Sequence, residues 1–492
     1  MEKPLAYLEK RVGDNWLIAD GCHQFNCLVE QFLQELTPLA SLSIPPKILL
    51  AEREPVRFLA GFMAATAAGC PVFLCNPDWV KSEWQQVFAL AQPDLILGQE
   101  YSIPRQSLGT SKNEGNRQPG NSPIQNPKSK IQNSIMIPTG GSSGQIRFAI
   151  HTWETLMSSV RGFQEYFHLK QINSFCVLPL YHVSGLMQFM RSLTTGGRLA
   201  ISPFKGLPAA ENCDIDTAEF FISLVPTQLQ RLLHLAPTWL SRFQTVLLGG
   251  APAWAELLEL ARHHGIRLAP TYGMTETASQ IVTLKPEDFL DGNNSCGKVL
   301  PHAQVTIRNS TGEILAPHQT GIITIAADSL ALGYYPPQSS QPNPNPRSGL
   351  LPGNDRQNFQ VDDLGFFDEQ GYLHIVGRSS NKIITGGENV FPSEVESAIL
   401  STQLVADVCA LGLPDRDWGQ VVAAVYVPIS PSVTAAALAA AISDKLTKFK
   451  RPKYWIPVAS LPRNSQGKVN REQLQQIAMT WQQHHPTAAT TQ

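Results

Sequence analysis

The chain has 492 residues, of which 43% are apolar and 16% are charged, and its formal net charge at pH 7 is −2. This length exceeds the size at which one hydrophobic core keeps growing, so we expect two or more domains. The near-neutral charge and the lack of a clustered Lys/Arg stripe exclude the electrostatic footprint of a nucleic-acid-binding protein.

The sequence predicts neither secretion nor membrane insertion. Its first residues lack the apolar core of a signal peptide, and no segment reaches about 18 apolar residues without charge. The cysteine pairs Cys22/Cys27 and Cys70/Cys75 lack the ligand spacing of a zinc site, so we expect reduced thiols. A cytoplasmic protein without a membrane span is therefore expected.

Helical and strand-like runs alternate along the N-terminal part of the chain. Residues 56–68 read as a buried helix, residues 71–77 as a short strand, and residues 95–97 as the next strand. This alternation favours α/β layers with largely parallel sheets. The run 105–134, almost free of large apolar residues, and the Pro-rich run 338–358 are predicted to be flexible insertions.

The α/β pattern resumes after residue 133. Apolar strand candidates lie at 175–180, 220–225 and 245–250, with a helix at 256–265. Short strands around 321–326 and 372–376 then indicate a smaller β-rich part.

The last part of the chain has the size and element order of an independent α+β domain. Its predicted elements are a helix at 392–401, strands at 405–414 and 421–428, and helices at 434–447 and 470–481. We therefore divide the chain into an N-terminal domain (1–377), a hinge (378–380) and a C-terminal domain (381–492).

A Gly/Ser-rich run follows the first polar insertion. Its glycines let the backbone turn amides toward a ligand, and its hydroxyls add donors, which suits an anionic phosphate chain. It is not a Walker A loop, because no Gly-Lys-Ser/Thr follows at the required place. Taken alone, the run is also compatible with an ordinary loop. Its members are Thr139, Gly140, Gly141, Ser142, Ser143 and Gly144.

A second motif, Thr-Tyr-Gly-Met-Thr-Glu-Thr, spans 271–277. Its carboxylate, Glu276, lies among hydroxyls and can hold a magnesium ion bound to phosphates, while Tyr272 offers a ring face to a purine. The alternative is a loop before a helix with a glutamate in its first turn.

Two further motifs lie near and beyond the predicted hinge. Asp363 can bind both hydroxyls of a ribose with Arg378 nearby, although Asp-Gly sequences are also typical of tight turns. Lys468 follows a glycine just before the last predicted helix and can reach into a cleft to bridge two anions.

In this order and spacing, the four motifs resemble those of the adenylate-forming superfamily, which includes acyl-CoA ligases, luciferases and peptide-synthetase adenylation domains. The resemblance extends over residues 45–475, apart from the two polar insertions. It implies a large N-terminal domain of layered α/β sheets with a β-rich subdomain, and a small mobile α+β C-terminal domain. It also implies an enzyme that joins a small carboxylic acid to ATP as an acyl-adenylate and then to coenzyme A.

The resemblance further implies a role for each motif. The loop from Thr139 to Gly144 would hold the β- and γ-phosphates. Thr275 would contact phosphates, Glu276 would hold Mg²⁺, and Lys468 would be the catalytic lysine. The remaining implied nucleotide and thiol contacts are Gly250, Ala251 and Tyr272 at the adenine, Asp363 and Arg378 at the ribose, and Gly387 in a loop that lines the thiol tunnel after domain rotation.

Three positions depart from the superfamily pattern. The phosphate loop ends in Ile146-Arg147 instead of Pro-Lys, and Val361-Asp362-Asp363 replaces Thr-Gly-Asp. The hinge residue, commonly Asp or Lys, is Ser380.

The run 178–186 lies where the superfamily builds its acyl pocket. It lacks the aspartate that amino-acid adenylation domains use to bind an amine, and by resemblance His182 is a catalytic candidate near the acyl carbonyl. A structural, hydrogen-bonded histidine is the alternative. Ser184 and Gly185 are the substrate candidates, with Ser184 proposed to contact a second carboxylate.

The acid implied by this run is 2-succinylbenzoate, converted to its CoA thioester in menaquinone or phylloquinone biosynthesis. Alternatives are an aromatic or medium-chain acyl-CoA ligase and an enzyme that loads a carrier protein. A catalytically inactive nucleotide sensor is a third alternative, which the presence of Glu276 and Lys468 disfavours. The sequence is compatible with a homo-oligomer.

Overall fold

A computed structural model describes residues 2–41, 44–98, 133–140, 146–204, 207, 215–336, 359–386, 388–463 and 468–485. The predicted insertion at 105–134 lies outside the described residues except for its last two, and the insertion at 338–358 lies wholly outside them.

The described strands are β1 (Leu17–Ile18), β2 (Ile48–Leu50), β3 (Val72–Leu74), β4 (Leu95–Leu97), β5 (Ile135–Gly140), β6 (Ile146–His151), β7 (Asn173–Cys176), β8 (Leu199–Ile201), β9 (Phe220–Leu224), β10 (Thr245–Leu248), β11 (Leu268–Met274), β12 (Ser279–Thr283), β13 (Lys298–Val299), β14 (Ala303–Arg308), β15 (Gly321–Ala327), β16 (Tyr334–Tyr335), β17 (Phe359–Phe367), β18 (Leu373–Arg378), β19 (Ile383–Thr385), β20 (Glu388–Val390), β21 (Val405–Asp415), β22 (Gly419–Pro428) and β23 (Tyr454–Pro457).

The described α-helices are α1 (Pro4–Glu9), α2 (Phe25–Ala40), α3 (Pro55–Ala68), α4 (Lys81–Ala91), α5 (Trp153–Phe167), α6 (Val183–Thr195), α7 (Pro226–Leu235), α8 (Pro237–Leu240), α9 (Ala255–His263), α10 (Pro286–Leu290), α11 (Pro392–Leu400), α12 (Ala435–Ala441) and α13 (Arg471–His484). In the part of the chain that the structure describes, none of these helices is long and apolar enough to cross a bilayer.

Two large sheets form the centre of the N-terminal part. The first has the order β1-β8-β7-β9-β10-β11-β12-β13. The first six strands in this order pair in parallel. The second has the order β16-β6-β5-β3-β2-β4, with a parallel group (β5, β3, β2, β4) and two antiparallel strands at one edge. Strands such as β2 and β10 are buried along their whole length, as expected of parallel strands covered on both faces.

Local sequence explains where the helices next to the site begin and end. Helix α3 starts at a proline, and the side chain of Glu54 accepts hydrogen bonds from the first-turn amides; it ends at Gly69, whose φ is +79°. Helix α6 begins directly after His182 and ends at Gly196, whose φ is +80°. Both helices therefore have defined ends, and the start of α6 positions His182.

The parallel strands bring several loops to one edge. Because the carboxyl ends of parallel strands meet at the same side of a sheet, the segments after β7, β9, β10 and β11 lie together. These segments contain His182, Val225, Gly250 and Thr275. The fold thus gathers residues that are far apart in the sequence.

The predicted β-rich part is an antiparallel sheet of order β14-β15-β17-β18. Asp363 lies inside β17, where its register partner is Arg378 at the end of β18. The alternative interpretation of Asp362 and Asp363 as a tight turn is wrong, because the chain reverses between β17 and β18, where Gly371 adopts a φ of +79°.

The C-terminal part folds around a further mixed sheet, in which β21 and β22 form a long antiparallel pair and β23 joins β22 in parallel. The helix predicted at 434–447 is shorter than expected and ends at Ala441. Ser443 and Asp444, which follow, have low helix propensity, and the Ser443 hydroxyl donates instead to the Ala440 carbonyl.

Candidate active site

Glu276 lies in a short 3₁₀ turn, Thr275–Thr277, at the end of β11. Its side chain is buried, with 8% exposure. The Tyr334 phenol donates to Glu276 Oε1 at 2.6 Å, and the Thr139 hydroxyl donates to the same oxygen at 3.3 Å. Segments from β5, β11 and β16 therefore meet at one carboxylate.

The backbone of the same turn is held from two further directions. His151, fully buried at the end of β6, donates from Nε2 to the Thr275 carbonyl at 2.8 Å, while its Nδ1 lies 3.0 Å from Thr155 Oγ1. The Ala331 amide donates to the Glu276 carbonyl at 2.8 Å. These contacts fix both the position and the direction of the turn.

A second carboxylate, Asp363, is held between two partners. The Tyr272 phenol donates to Asp363 Oδ2 at 2.7 Å, and Arg378 Nε donates to Oδ1 at 3.2 Å. Burial, followed by the negative charge of Asp363, raises the pKa of Tyr272 well above its ordinary value. Tyr272 therefore stays a neutral donor, and its ring is fixed at the edge of the cleft.

His182 and Lys468 come from different parts of the chain but influence each other. Burial, and then the positive charge of Lys468, lowers the pKa of His182 to about 4. Although part of Lys468 is exposed, burial of its ammonium group and the charge of Arg378 lower its pKa, and Glu276 and Asp363 oppose that shift. The lysine thus lies within electrostatic range of His182, Arg378 and both carboxylates.

The remaining predicted site residues differ in their burial and in whether the structure describes them. Gly250, with a φ of +83°, and the exposed Ala251 follow β10. Ser184 is exposed in the first turn of α6, whereas Gly185 is buried so close to Pro179 that a Cβ would lie 2.2 Å from its carbonyl oxygen. Gly140 ends β5. Gly141, Ser142, Ser143, Gly144 and Gly387 lie outside the described residues.

Asp362 and Ser380, two of the positions that depart from the superfamily pattern, contact each other at the predicted hinge. The Ser380 amide donates to Asp362 Oδ1 at 3.1 Å, and the Ser380 hydroxyl donates to Asp362 Oδ2. The Ser379 amide also donates to the Asp362 carbonyl, at 2.8 Å. The residue that replaces the usual glycine therefore binds the residue that replaces the usual hinge aspartate or lysine.

The donor set at Glu276 fits a hard cation. Mg²⁺ prefers oxygen ligands and is commonly held by one or two carboxylates together with substrate phosphates. Every hydrogen bond between the Glu276 side chain and the described residues ends at Oε1, so Oε2 is left for a cation. Among the described residues, no group of three or more His, Cys, Asp or Glu side chains is arranged as a metal cage.

Two protein-family models match the sequence of this chain. The AMP-binding enzyme model matches residues 23–335, and the model of the AMP-binding enzyme C-terminal domain matches residues 394–468. The chain belongs to the AMP-binding enzyme family. This membership confirms the predicted superfamily and the prediction of an enzyme.

Individual relatives agree with the family. Over 350 residues the chain is 33% identical to a 2-succinylbenzoate–CoA ligase of Oceanobacillus iheyensis, with 69% of this chain and 68% of that protein covered. A 2-succinylbenzoate–CoA ligase of Bacillus cereus is 29% identical over 439 residues, 88% of each chain. A solved o-succinylbenzoate CoA synthetase (MenE) from Bacillus subtilis, in complex with the acyl-adenylate OSB-AMP, has a TM-score of 0.77, 25% identity and 92% coverage of both chains. The predicted α/β fold is thereby confirmed.

Two residues that hold the turn at Glu276 were not anticipated from the sequence, His151 and Tyr334. His151 and Tyr334 act through tertiary contacts to the turn at Glu276. Arg191, which is buried in α6 beside the polar Gln188 and Ser192, was also not anticipated, although a charged residue in a mostly apolar helix is a signal for a special role.

The proximity of Lys468 to His182 is open to a direct test. In Lys468→Met we expect the pKa of His182 to rise, because removal of the positive charge eases protonation of the imidazole. ¹³C-labelled histidine and a pH titration by NMR would report the change. The matched control is Lys448→Met, elsewhere in the C-terminal part. An unchanged His182 titration in Lys468→Met would mean that the lysine is remote from it in solution.

Proposed function

We propose that the chain is an ATP-dependent acid–thiol ligase that converts 2-succinylbenzoate to 2-succinylbenzoyl-CoA, in menaquinone or phylloquinone biosynthesis. The observation that carries the proposal is that Lys468 lies within electrostatic range of Glu276, Asp363 and His182. The similarity to 2-succinylbenzoate–CoA ligases supports the choice of acid. Cytoplasmic location remains a prediction from the sequence.

The first half-reaction joins the acid to AMP. An oxygen of the acid attacks the α-phosphorus of ATP while the bond to pyrophosphate breaks. Two anions must approach each other, and we propose that the positive charge of the Lys468 ammonium group would offset their repulsion. A Mg²⁺ ion held by Glu276 would neutralise charge on the leaving pyrophosphate. Asp363, already oriented by Tyr272 and Arg378, would accept hydrogen bonds from the ribose hydroxyls.

His182 suits the second half-reaction, in which coenzyme A is the proposed acceptor. The thiol sulfur bonds to the acyl carbon, the bond to AMP breaks, and the thiol proton must leave. Burial is the larger cause of the low pKa of His182 and does not depend on Lys468, so the imidazole is neutral near pH 7 and can accept a hydrogen bond from the thiol. The thiol proton then leaves to solvent. The same space cannot also hold Lys468, so we propose that the C-terminal domain rotates near 378–380 and presents the loop around Gly387.

A polar face of α6 supports an acid with a second carboxylate. Ser184, Gln188 and Arg191 follow one another at i, i+4 and i+7 and so lie on one face, from the exposed start of the helix to its buried interior. Gln188 Nε2 donates to the Ser184 carbonyl at 2.9 Å, and Gln188 Oε1 has no hydrogen-bond partner among the described residues.

Arg191 ends this face, and no carboxylate among the described residues hydrogen-bonds to its guanidinium. Burial lowers its pKa to about 9, and Nη2 donates to the neutral Gln280 Oε1 at 2.8 Å. Arg191 Nε is buried without a hydrogen-bond partner in the part of the chain that the structure describes. The guanidinium already lies 4.1 Å from the centroid of the Phe163 ring. A substrate carboxylate near this face would add a charged partner for Arg191, whereas a purely apolar acid would not.

ATP–pyrophosphate exchange with a panel of acids tests the reaction and the acid together. We expect exchange with 2-succinylbenzoate and at least about tenfold less with benzoate or octanoate, because these acids lack the second carboxylate. Product analysis with free CoA should then show the thioester. Equal exchange with benzoate or octanoate would favour the general acyl-CoA ligase, and adenylate formation without a CoA thioester would favour a carrier protein as acceptor.

Lys468→Ala separates the half-reactions. Adenylation should fall about 100-fold or more, since the cation acts while the two anions meet. Thioester formation from supplied acyl-AMP should largely survive. Lys448→Ala is the control, with both half-reactions intact. A comparable loss of both half-reactions in Lys468→Ala would contradict the assigned role.

Ser184→Ala and Arg191→Lys test the polar face of α6. Each should raise KM for 2-succinylbenzoate, by about tenfold or more for the buried arginine, while KM for benzoate stays the same. The exposed Ser184 tolerates substitution without a packing loss, and thermal melts would check the fold of both variants. An unchanged KM for 2-succinylbenzoate in both folded variants would exclude this face as the carboxylate site.

A further inference from the structure

Among the described residues, Tyr334 forms the shortest hydrogen bond to the Glu276 side chain. Its phenol donates to Glu276 Oε1 at 2.6 Å, against 3.3 Å for the Thr139 hydroxyl. With Oε1 engaged, Oε2 has no hydrogen bond to the described residues. Hydrogen bonds to one oxygen restrict rotation of a carboxylate. The direction in which its second oxygen points is thereby fixed.

The segment that carries Tyr334 is itself firmly attached. The Ala331 amide donates to the Glu276 carbonyl at 2.8 Å, and the Leu332 amide donates to the Ile150 carbonyl at 2.7 Å. Tyr334 then pairs with Ala149 across β16 and β6. Side chain and backbone of Glu276 are thus bound by one short stretch of chain.

The chemistry of a phenol suits this position. Burial, together with the charge of Glu276, raises the pKa of Tyr334 far above its ordinary value, so the hydroxyl stays a neutral donor. A lysine or arginine here would form an ion pair and compete with a metal cation for the carboxylate. A neutral donor orients the carboxylate and leaves its charge available.

We propose that Tyr334 is a positioning residue for magnesium: its phenol holds Glu276 Oε1 so that Oε2 faces the metal bound to the phosphates of ATP. The inference rests on the proposed function, which assigns the metal to Glu276. Partners that orient a metal-binding side chain commonly change metal affinity 10- to 100-fold when they are removed.

Tyr334→Phe tests this role because it removes one oxygen and keeps the ring. Mn²⁺ binding, followed by electron paramagnetic resonance in the presence of ATP and without acid, measures affinity in the absence of turnover. We expect the dissociation constant for Mn²⁺ to rise about tenfold or more. The half-saturating Mg²⁺ concentration of the exchange reaction should rise in parallel, while kcat at saturating Mg²⁺ largely recovers.

Tyr335→Phe is the matched control. This neighbouring tyrosine faces the opposite side of the strand, packs 5.1 Å from Phe73 between ring centroids, and makes no phenol hydrogen bond with the described residues. It should bind Mn²⁺ like the unaltered protein. A purely structural role of Tyr334 would lower the melting temperature without changing Mn²⁺ affinity.

The Glu276→Gln variant distinguishes a failure of the role proposed for Tyr334 from a failure of the metal assignment of Glu276. Normal Mn²⁺ binding in Tyr334→Phe, with weak binding in Glu276→Gln, would overturn the role of Tyr334 and leave the metal assignment intact. Normal binding in Glu276→Gln would overturn the metal assignment of the proposed function itself.

Discussion

The cleft depends on the hydrogen bonds that hold the Thr275–Thr277 turn in place. One carboxylate and two carbonyls in this turn collect donors from Thr139, His151, Ala331 and Tyr334. Those donors belong to β5, to β6 and to the segment that leads into β16, all of which the second sheet contains or adjoins. The turn itself ends β11 of the first sheet. Because buried polar groups are costly when unpaired, these bonds also fix how the two sheets meet.

Charge distribution across the cleft follows from the same arrangement. Two carboxylates, Glu276 and Asp363, lie on the large domain, and Lys468 comes from the terminal segment. Arg378 is close enough to lower the pKa of Lys468, so two cations and two carboxylates lie within electrostatic range of one another. Under the proposed function, the phosphates of ATP would add negative charge near Lys468, and a bound nucleotide would then stabilise this arrangement of domains.

Much of the fold and site was predictable from the sequence. Glu276, Asp363 and Lys468 stand in motifs whose residue types match the proposed chemistry, and buried strands such as β9 and β10 are short runs of mostly apolar residues. His151 and Tyr334 could not be predicted in the same way, since their importance arises from tertiary contacts between separate strands. The strand position of Asp362 also could not be predicted. The sequence around it suits a turn, but the pairing of β17 with β15 and β18 overrides this local preference.

The contacts between Asp362 and residues 379–380 bear on where the chain can swivel. Three hydrogen bonds tie Ser379 and Ser380 to β17, so these residues move with the large domain as long as the bonds persist. The next amides, of Asn381 and Lys382, make longer bonds of 3.3 and 3.4 Å to Arg378 and Ser379. A reorientation that spares the aspartate–serine contact would therefore concentrate its torsional change at Asn381 and Lys382, one step further along the chain than the sequence motif indicates.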